Sequence, residues 1–135
     1  MIAYLDSSVI LRAVLNQPDR IEPWDDAEVS VTSALTEAEC LRTLDRLRIR
    51  TEAPLVEQRE AVFGILAETR IVEIDAAVLG RASMPLPSPL GTLDAIHLAS
   101  GLLWRETRDR EMVMATHDTA LGVAARACGL TVVGV

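Results

Sequence analysis

The chain has 135 residues, of which half are hydrophobic and 3% aromatic, enough for one domain with an aliphatic core. Its net charge of −7 argues against non-specific binding to nucleic acid. Every basic residue is arginine, so mechanisms that need a lysine, such as Schiff-base or P-loop chemistry, are excluded. No apolar run approaches the roughly 20 residues of a membrane span, and no signal-peptide pattern is present. Cys40 and Cys128 have no metal-ligand spacing, so we expect a cytoplasmic protein with reduced cysteines.

Short apolar strands alternate with helices along the chain. In order, the pattern predicts a strand at Ile2–Leu5, a helix at Val9–Asn16, a loop at Gln17–Trp24, a strand at Glu28–Val31 and a helix capped by Ser33 that runs to about Arg50. It then predicts a helix from Pro54 to about Thr69, a strand at Ile71–Ile74, a helix from Ala76 to about Ala82, a proline-rich loop at Met84–Gly91, a helix from Thr92 to about Glu106, a strand at Met112–Ala115, a helix from His117 to about Cys128 and a strand at Thr131–Val133. Such alternation predicts an α/β fold, a three-layer α/β/α sandwich around a central parallel sheet, with residues 1–135 forming a single domain.

Asp6 is the first candidate functional residue. It follows the opening strand directly, and open α/β sheets bind their ligands at the carboxyl ends of the strands. Ser7 and Ser8 are predicted to cap the next helix, which leaves the Asp6 carboxylate free for another role.

Three more acids are predicted at the same edge of the sheet. Asp94 lies in the first turn of one helix, Asp118 follows the strand Met112–Ala115, and Glu39 lies in the helix after the second strand. Crowded carboxylates raise one another's pKa unless a cation lies among them, and an all-oxygen set favours Mg²⁺ or Mn²⁺. The competing interpretation is that Asp94 and Asp118 only cap helices, which is the commoner role of a lone Asp there.

Four short segments carry a resemblance to a known family. They are Y-L-D-S-S at the start, S-A-L-T-E-A-E-C-L-R at Ser33–Arg42, L-D-A-I-H-L-A at Leu93–Ala99 and A-T-H-D at Ala115–Asp118. In this order the set resembles PIN-domain proteins, and among them the toxin ribonucleases of VapBC toxin–antitoxin pairs. The resemblance covers essentially the whole chain.

The resemblance implies a Mg²⁺- or Mn²⁺-dependent endoribonuclease with an acidic quartet of Asp6, Glu39, Asp94 and Asp118. Asp6, Asp94 and Asp118 would be metal ligands, Asp6 and Asp94 the main ones, and Glu39 would complete the site directly or through water. Thr116 matches a small hydroxyl residue that orients a water or a phosphate. The implied partners are RNA, a cognate antitoxin and a second copy of the chain in a homodimer.

Several alternatives stay open at this point. Glu37 competes with Glu39 for the second acidic position, because helical periodicity does not decide which one points inward. A stripe of arginines could contact RNA or form a solvated face: Arg42, Arg46 and Arg50. His97 is predicted to be a packed structural residue. A different class of function is also open, a catalytically inactive PIN-like module that acts through dimer or partner contacts.

Overall fold

A five-stranded sheet forms the centre of the computed structural model, which describes residues 1–49 and 54–135. The strands are β1 (Ile2–Leu5), β2 (Val29–Ser33), β3 (Thr69–Val72), β4 (Met112–Ala115) and β5 (Thr131–Val133). All neighbouring strands pair in parallel, in the order β3-β2-β1-β4-β5. The helices are α1 (Ser7–Val14), α2 (Leu35–Leu47), α3 (Leu55–Ala67), α4 (Ala76–Ala82), α5 (Thr92–Arg108) and α6 (Thr119–Ala127). Within the described ranges, no helix has both the length and the apolar character needed to cross a bilayer.

Strand β1 lies in the middle of the sheet and is buried on both faces. All four of its residues are at most 1% exposed, as expected for an uninterrupted apolar strand in a parallel sheet. Its alternating side chains divide between two cores. Ile2 and Tyr4 pack with residues of α5 and α6, whereas Ala3 and Leu5 pack with residues of α1, α2 and α3. The predicted three-layer sandwich is therefore confirmed, with the sheet as its middle layer.

Several boundaries differ from the prediction for local reasons. Strand β3 begins at Thr69 instead of Ile71, because Thr69 pairs with Ser30 and its hydroxyl donates to the Ile65 carbonyl. Strand β2 extends to Ser33, whose Oγ accepts a hydrogen bond from the Leu35 amide at 3.1 Å. Helix α2 ends at Leu47, and its predicted end at Arg50 lies outside the described residues.

Gly134 has a positive φ of +100° directly after β5 and lies against the backbone at Thr116. A Cβ at this position would overlap the Thr116 carbonyl oxygen, so a larger residue must displace the segment after β4. Only glycine adopts this backbone conformation without strain.

We expect Gly134→Ala to lower the free energy of unfolding by about 1–3 kcal/mol, from the unfavourable φ and the clash together. Gly80→Ala is the matched control, because Gly80 lies exposed in α4 with nothing within 4 Å of an added Cβ. That change should raise the free energy of unfolding by about 0.5–1 kcal/mol. Urea unfolding of both variants measures the difference, and equal stability of Gly134→Ala and wild type would contradict the prediction.

Candidate active site

The candidate site lies at the carboxyl ends of β1 and β4. From β1 the sheet extends to β2 and β3 on one side and to β4 and β5 on the other, so the strand order reverses between β1 and β4. The Asp6 amide donates to the Ala115 carbonyl at 3.0 Å and extends the ladder by one residue. Crevices at such reversal points are where open α/β sheets bind ligands.

Asp6 is buried in this crevice, with 4% of its surface exposed. It occupies the N-cap position of α1 with extended backbone angles, but its side chain does not cap the helix. Instead, Oδ2 accepts hydrogen bonds from Ser8 Oγ at 2.5 Å and from Thr116 Oγ1 at 2.8 Å. The prediction that Ser7 and Ser8 form the cap was wrong, because the Ser8 hydroxyl bonds the Asp6 carboxylate.

Thr116 and Asp118 follow β4 and face the same crevice. Thr116 is fully buried, and its Oγ1 also accepts a hydrogen bond from the Asp118 amide at 2.9 Å. Asp118 Oδ1 accepts from the Leu121 amide at 2.9 Å, so this carboxylate does cap α6. The cap uses one carboxylate oxygen and leaves the other outside the helix.

Glu39, and not Glu37, turns toward Asp6. Its Oε1 lies 2.5 Å from His97 Nε2, and the same nitrogen lies 3.7 Å from Asp6 Oδ1. Glu37 is exposed on α2. The imidazole of His97 therefore connects acids from two different elements.

Asp94 lies in the first turn of α5 and completes the acidic group. Burial raises the pKa of its carboxyl, and the negative charges of Asp118, Asp6 and Glu39 raise it further. The charge of His97 acts in the opposite direction and offsets only part of this. Four carboxylates from separate parts of the chain thus lie within electrostatic reach of one another.

Other buried groups respond to the same negative charge. Burial alone would lower the pKa of His97, but the hydrogen bond to Glu39 and the charges of Asp6, Glu39 and Asp94 outweigh it and raise that pKa. Burial, Glu39 and Asp6 together raise the pKa of the Cys40 thiol to about 12. Cys40 is therefore a neutral core residue and not a nucleophile.

The donor set suits a hard divalent cation. Carboxylate and hydroxyl oxygens are the ligands of Mg²⁺ and Mn²⁺, and a cation would relieve the mutual repulsion that raises the pKa of Asp94. Across residues 1–49 and 54–135, no three His, Cys, Asp or Glu side chains form a ready-made cage. Mg²⁺ does not need one, because it keeps several waters and binds directly to one or two carboxylates.

Ser8 and His97 were not among the predicted site residues. Ser8 was assigned to a helix cap and His97 to the core, yet both contact the predicted acids. The available signals were positional: Ser8 is two residues after Asp6, and His97 is one helical turn after Asp94.

Similar proteins give an independent view of the chain. It is 32% identical to ribonuclease VapC46 of Mycobacterium tuberculosis (strain ATCC 25618 / H37Rv), over 96% of this chain and 95% of the relative. It is 34% identical to ribonuclease VapC35 of Mycobacterium tuberculosis (strain CDC 1551 / Oshkosh), over 96% of this chain and 94% of the relative.

Two solved structures share the fold at low sequence identity. One is VapBC2 from Rickettsia felis bound to a DNA fragment from the promoter, with a TM-score of 0.62 and 12% identity over 98% of this chain and 97% of the other. The second is VapBC-1 from nontypeable Haemophilus influenzae, with a TM-score of 0.57 and 14% identity over 98% of this chain and 96% of the other.

The model of the PIN domain family matches residues 3–125, a span that includes all the acids described above. Together with the identity to the two ribonucleases over nearly the full chain, this match establishes the family. The chain belongs to the PIN domain family.

Proposed function

We propose that this protein is a Mg²⁺- or Mn²⁺-dependent endoribonuclease, the toxin of a VapBC-type toxin–antitoxin pair, acting on RNA in the cytoplasm. The observation that carries the proposal is the convergence of acids from separate elements on one crevice. His97 Nε2 lies 2.5 Å from Glu39 Oε1 and 3.7 Å from Asp6 Oδ1, and Thr116 Oγ1 bonds both the Asp6 carboxylate and the Asp118 amide. Relatives named ribonuclease VapC, matched over nearly the whole chain, support the choice of substrate.

Asp6, Asp94 and Asp118 would hold the cation, with Glu39 reaching it directly or through water. A divalent ion bound there would stabilise charge on a phosphodiester and lower the pKa of an attacking water. Asp94 lies at the N-terminus of α5, where the helix dipole favours a carboxylate and offsets part of the repulsion from its neighbours.

Ser8 and Thr116 would fix the orientation of the Asp6 carboxylate. Both hydroxyls donate to Oδ2, and these two hydrogen bonds hold the plane of the buried carboxylate. Oδ1 is then directed away from the two hydroxyls. Thr116 would also hold the Asp118 backbone beside Asp6, because its Oγ1 accepts a hydrogen bond from the Asp118 amide.

The proposed partners are the RNA substrate, a cognate antitoxin and a second copy of the chain. A groove of about 410 Å³ supports substrate or antitoxin contact, since it places cationic and apolar side chains beside Glu39. It is lined by Ser7, Leu35, Ala38, Glu39, Arg42, Thr43, Arg46 and Leu93. In a chain of net charge −7, Arg42 and Arg46 would supply the local positive charge that a phosphate backbone needs.

Glu39→Gln should lower the rate of Mg²⁺-dependent RNA cleavage by about 10- to 100-fold, and Asp6→Asn by about 100-fold or more. Glu37→Gln is the matched control on the same helix, and it should cleave like wild type because Glu37 is exposed. Cleavage of a fluorescent RNA with and without EDTA gives the rates. A wild-type protein that binds neither Mg²⁺ nor Mn²⁺ and leaves RNA intact would favour the inactive binding module.

Asp94→Asn should stabilise the metal-free protein, by at most about 1 kcal/mol because the group is partly exposed and screened by solvent. The sign follows from the pKa of Asp94, which is raised in the native state above its ordinary value of 3.8. The native state then binds the proton more tightly than the unfolded chain. Wild type therefore loses stability relative to the variant as the pH rises from the ordinary pKa of the carboxyl through its raised native pKa.

Saturating Mg²⁺ should reverse this order of stability and make wild type more stable than Asp94→Asn. At a concentration of 100 times the Kd, the cation should stabilise wild type by about 2.7 kcal/mol and Asp94→Asn by less. Urea unfolding at neutral pH in EDTA and in Mg²⁺ measures both effects. Glu111→Gln, an exposed acid before β4, is the control for the change in net charge, and an identical response of all three proteins would contradict the cation site.

A further inference from the structure

The imidazole of His97 is fully buried and links three elements of the fold. Its Nδ1 lies 2.9 Å from the Tyr4 hydroxyl of β1, and its Nε2 lies 2.5 Å from Glu39 Oε1 of α2. His97 itself belongs to α5, the helix that carries Asp94. The acidic site proposed above gives this buried side chain no role.

The direction of the hydrogen bonds follows from the groups involved. An ionised carboxylate only accepts hydrogen bonds, so Nε2 must carry the hydrogen that points at Glu39. The Tyr4 hydroxyl keeps its proton, because burial and the charge of Asp6 raise its pKa well above the ordinary value. It can donate to Nδ1 of the neutral ring or accept from the protonated ring, and Nε2 points at Glu39 in both cases.

Glu39 needs a hydrogen-bond donor such as His97 to keep its carboxylate directed toward the acidic site. Its side chain is 22% exposed, so packing does not fully enclose it, and a glutamate has three side-chain torsions to restrain. Among the described residues, His97 is the only group that donates a hydrogen bond to its carboxylate. Without the imidazole, nothing in this part of the chain would keep Glu39 turned toward Asp6.

We propose that His97 is a positioning residue that holds the Glu39 carboxylate over the acidic site, with the Tyr4 hydroxyl fixing the imidazole ring. The consequence for cleavage rests on the proposed ribonuclease function. The hydrogen-bonded chain Tyr4–His97–Glu39 is a geometric feature, and it can be tested without measuring RNA cleavage. Its role corresponds to that of outer hydrogen-bond partners, which orient the carboxylates of metal sites.

The central experiment is a double-mutant cycle between His97 and Glu39. His97→Ala should lower kcat about 10- to 100-fold with little change in KM, because the substrate does not contact the buried ring. In the Glu39→Gln background the same change should have almost no further effect, since the group that His97 positions is already altered. His97→Gln should recover part of kcat, because its amide can donate from a position near that of Nε2. Full additivity of the two changes would overturn the proposal.

A matched control separates positioning from simple loss of packing. Leu98 is the next residue on α5 and is also fully buried, so Leu98→Ala should lower the melting temperature by leaving a cavity in the core. At a temperature where both proteins are folded, Leu98→Ala should keep the wild-type kcat and the wild-type affinity for Mn²⁺ measured by calorimetry. His97→Ala should weaken Mn²⁺ binding by about tenfold or more. Equal Mn²⁺ affinities of His97→Ala and wild type would contradict the proposal.

Imidazole ¹⁵N NMR of the metal-free protein tests the chain of hydrogen bonds directly. Wild type should show a downfield Nε2 proton that moves upfield in Glu39→Gln, and Tyr4→Phe should shift the Nδ1 resonance. A wild-type protein that shows these signals but cleaves no RNA would refute the ribonuclease and leave the positioning geometry standing. An active wild type in which Glu39→Gln does not move the His97 signals would refute the positioning role alone.

Discussion

The buried carboxylate of Asp6 is the constraint around which the structure is arranged. With 4% of its surface exposed, it would be costly to bury as an ion without strong hydrogen bonds. Ser8 and Thr116 supply two of them to the same oxygen, from sites 2 and 110 residues away in sequence. The start of α1 and the segment after β4 must therefore both be in place for the carboxylate to have its hydrogen-bond partners.

The position of β1 explains why so many groups reach Asp6. As the central strand, β1 has neighbours on both sides, and its carboxyl end opens into the crevice where the strand order reverses. Residues from α2, α5 and the segment after β4 approach from different directions. Each contributes charge or a hydrogen bond: Glu39, His97, Asp94, Thr116 and Asp118. The cost of this convergence is that burial, together with repulsion among like charges, raises the pKa of Asp94.

Much of the fold could be predicted because hydrophobic pattern and strand burial agree. The bounds of β1, β4, β5 and α4 match the predictions residue by residue, since each is a short run with clear limits. The candidate acids could also be named, because they follow strands or begin helices. The role of Ser8 could not be inferred, since a serine before a helix is normally a cap. The contacts of His97 depend on how α5 meets α2, which no local pattern specifies.

The long sequence separation between Asp6 and Thr116 has a consequence for biosynthesis. Asp6 leaves the ribosome more than a hundred residues before Thr116 and Asp118. A nascent chain that ends before β4 lacks one of the two strands beside β1, one of the two hydroxyls on Asp6 and the fourth carboxylate. A growing polypeptide therefore cannot assemble the crevice, and any chemistry that depends on it begins only after translation has passed Asp118.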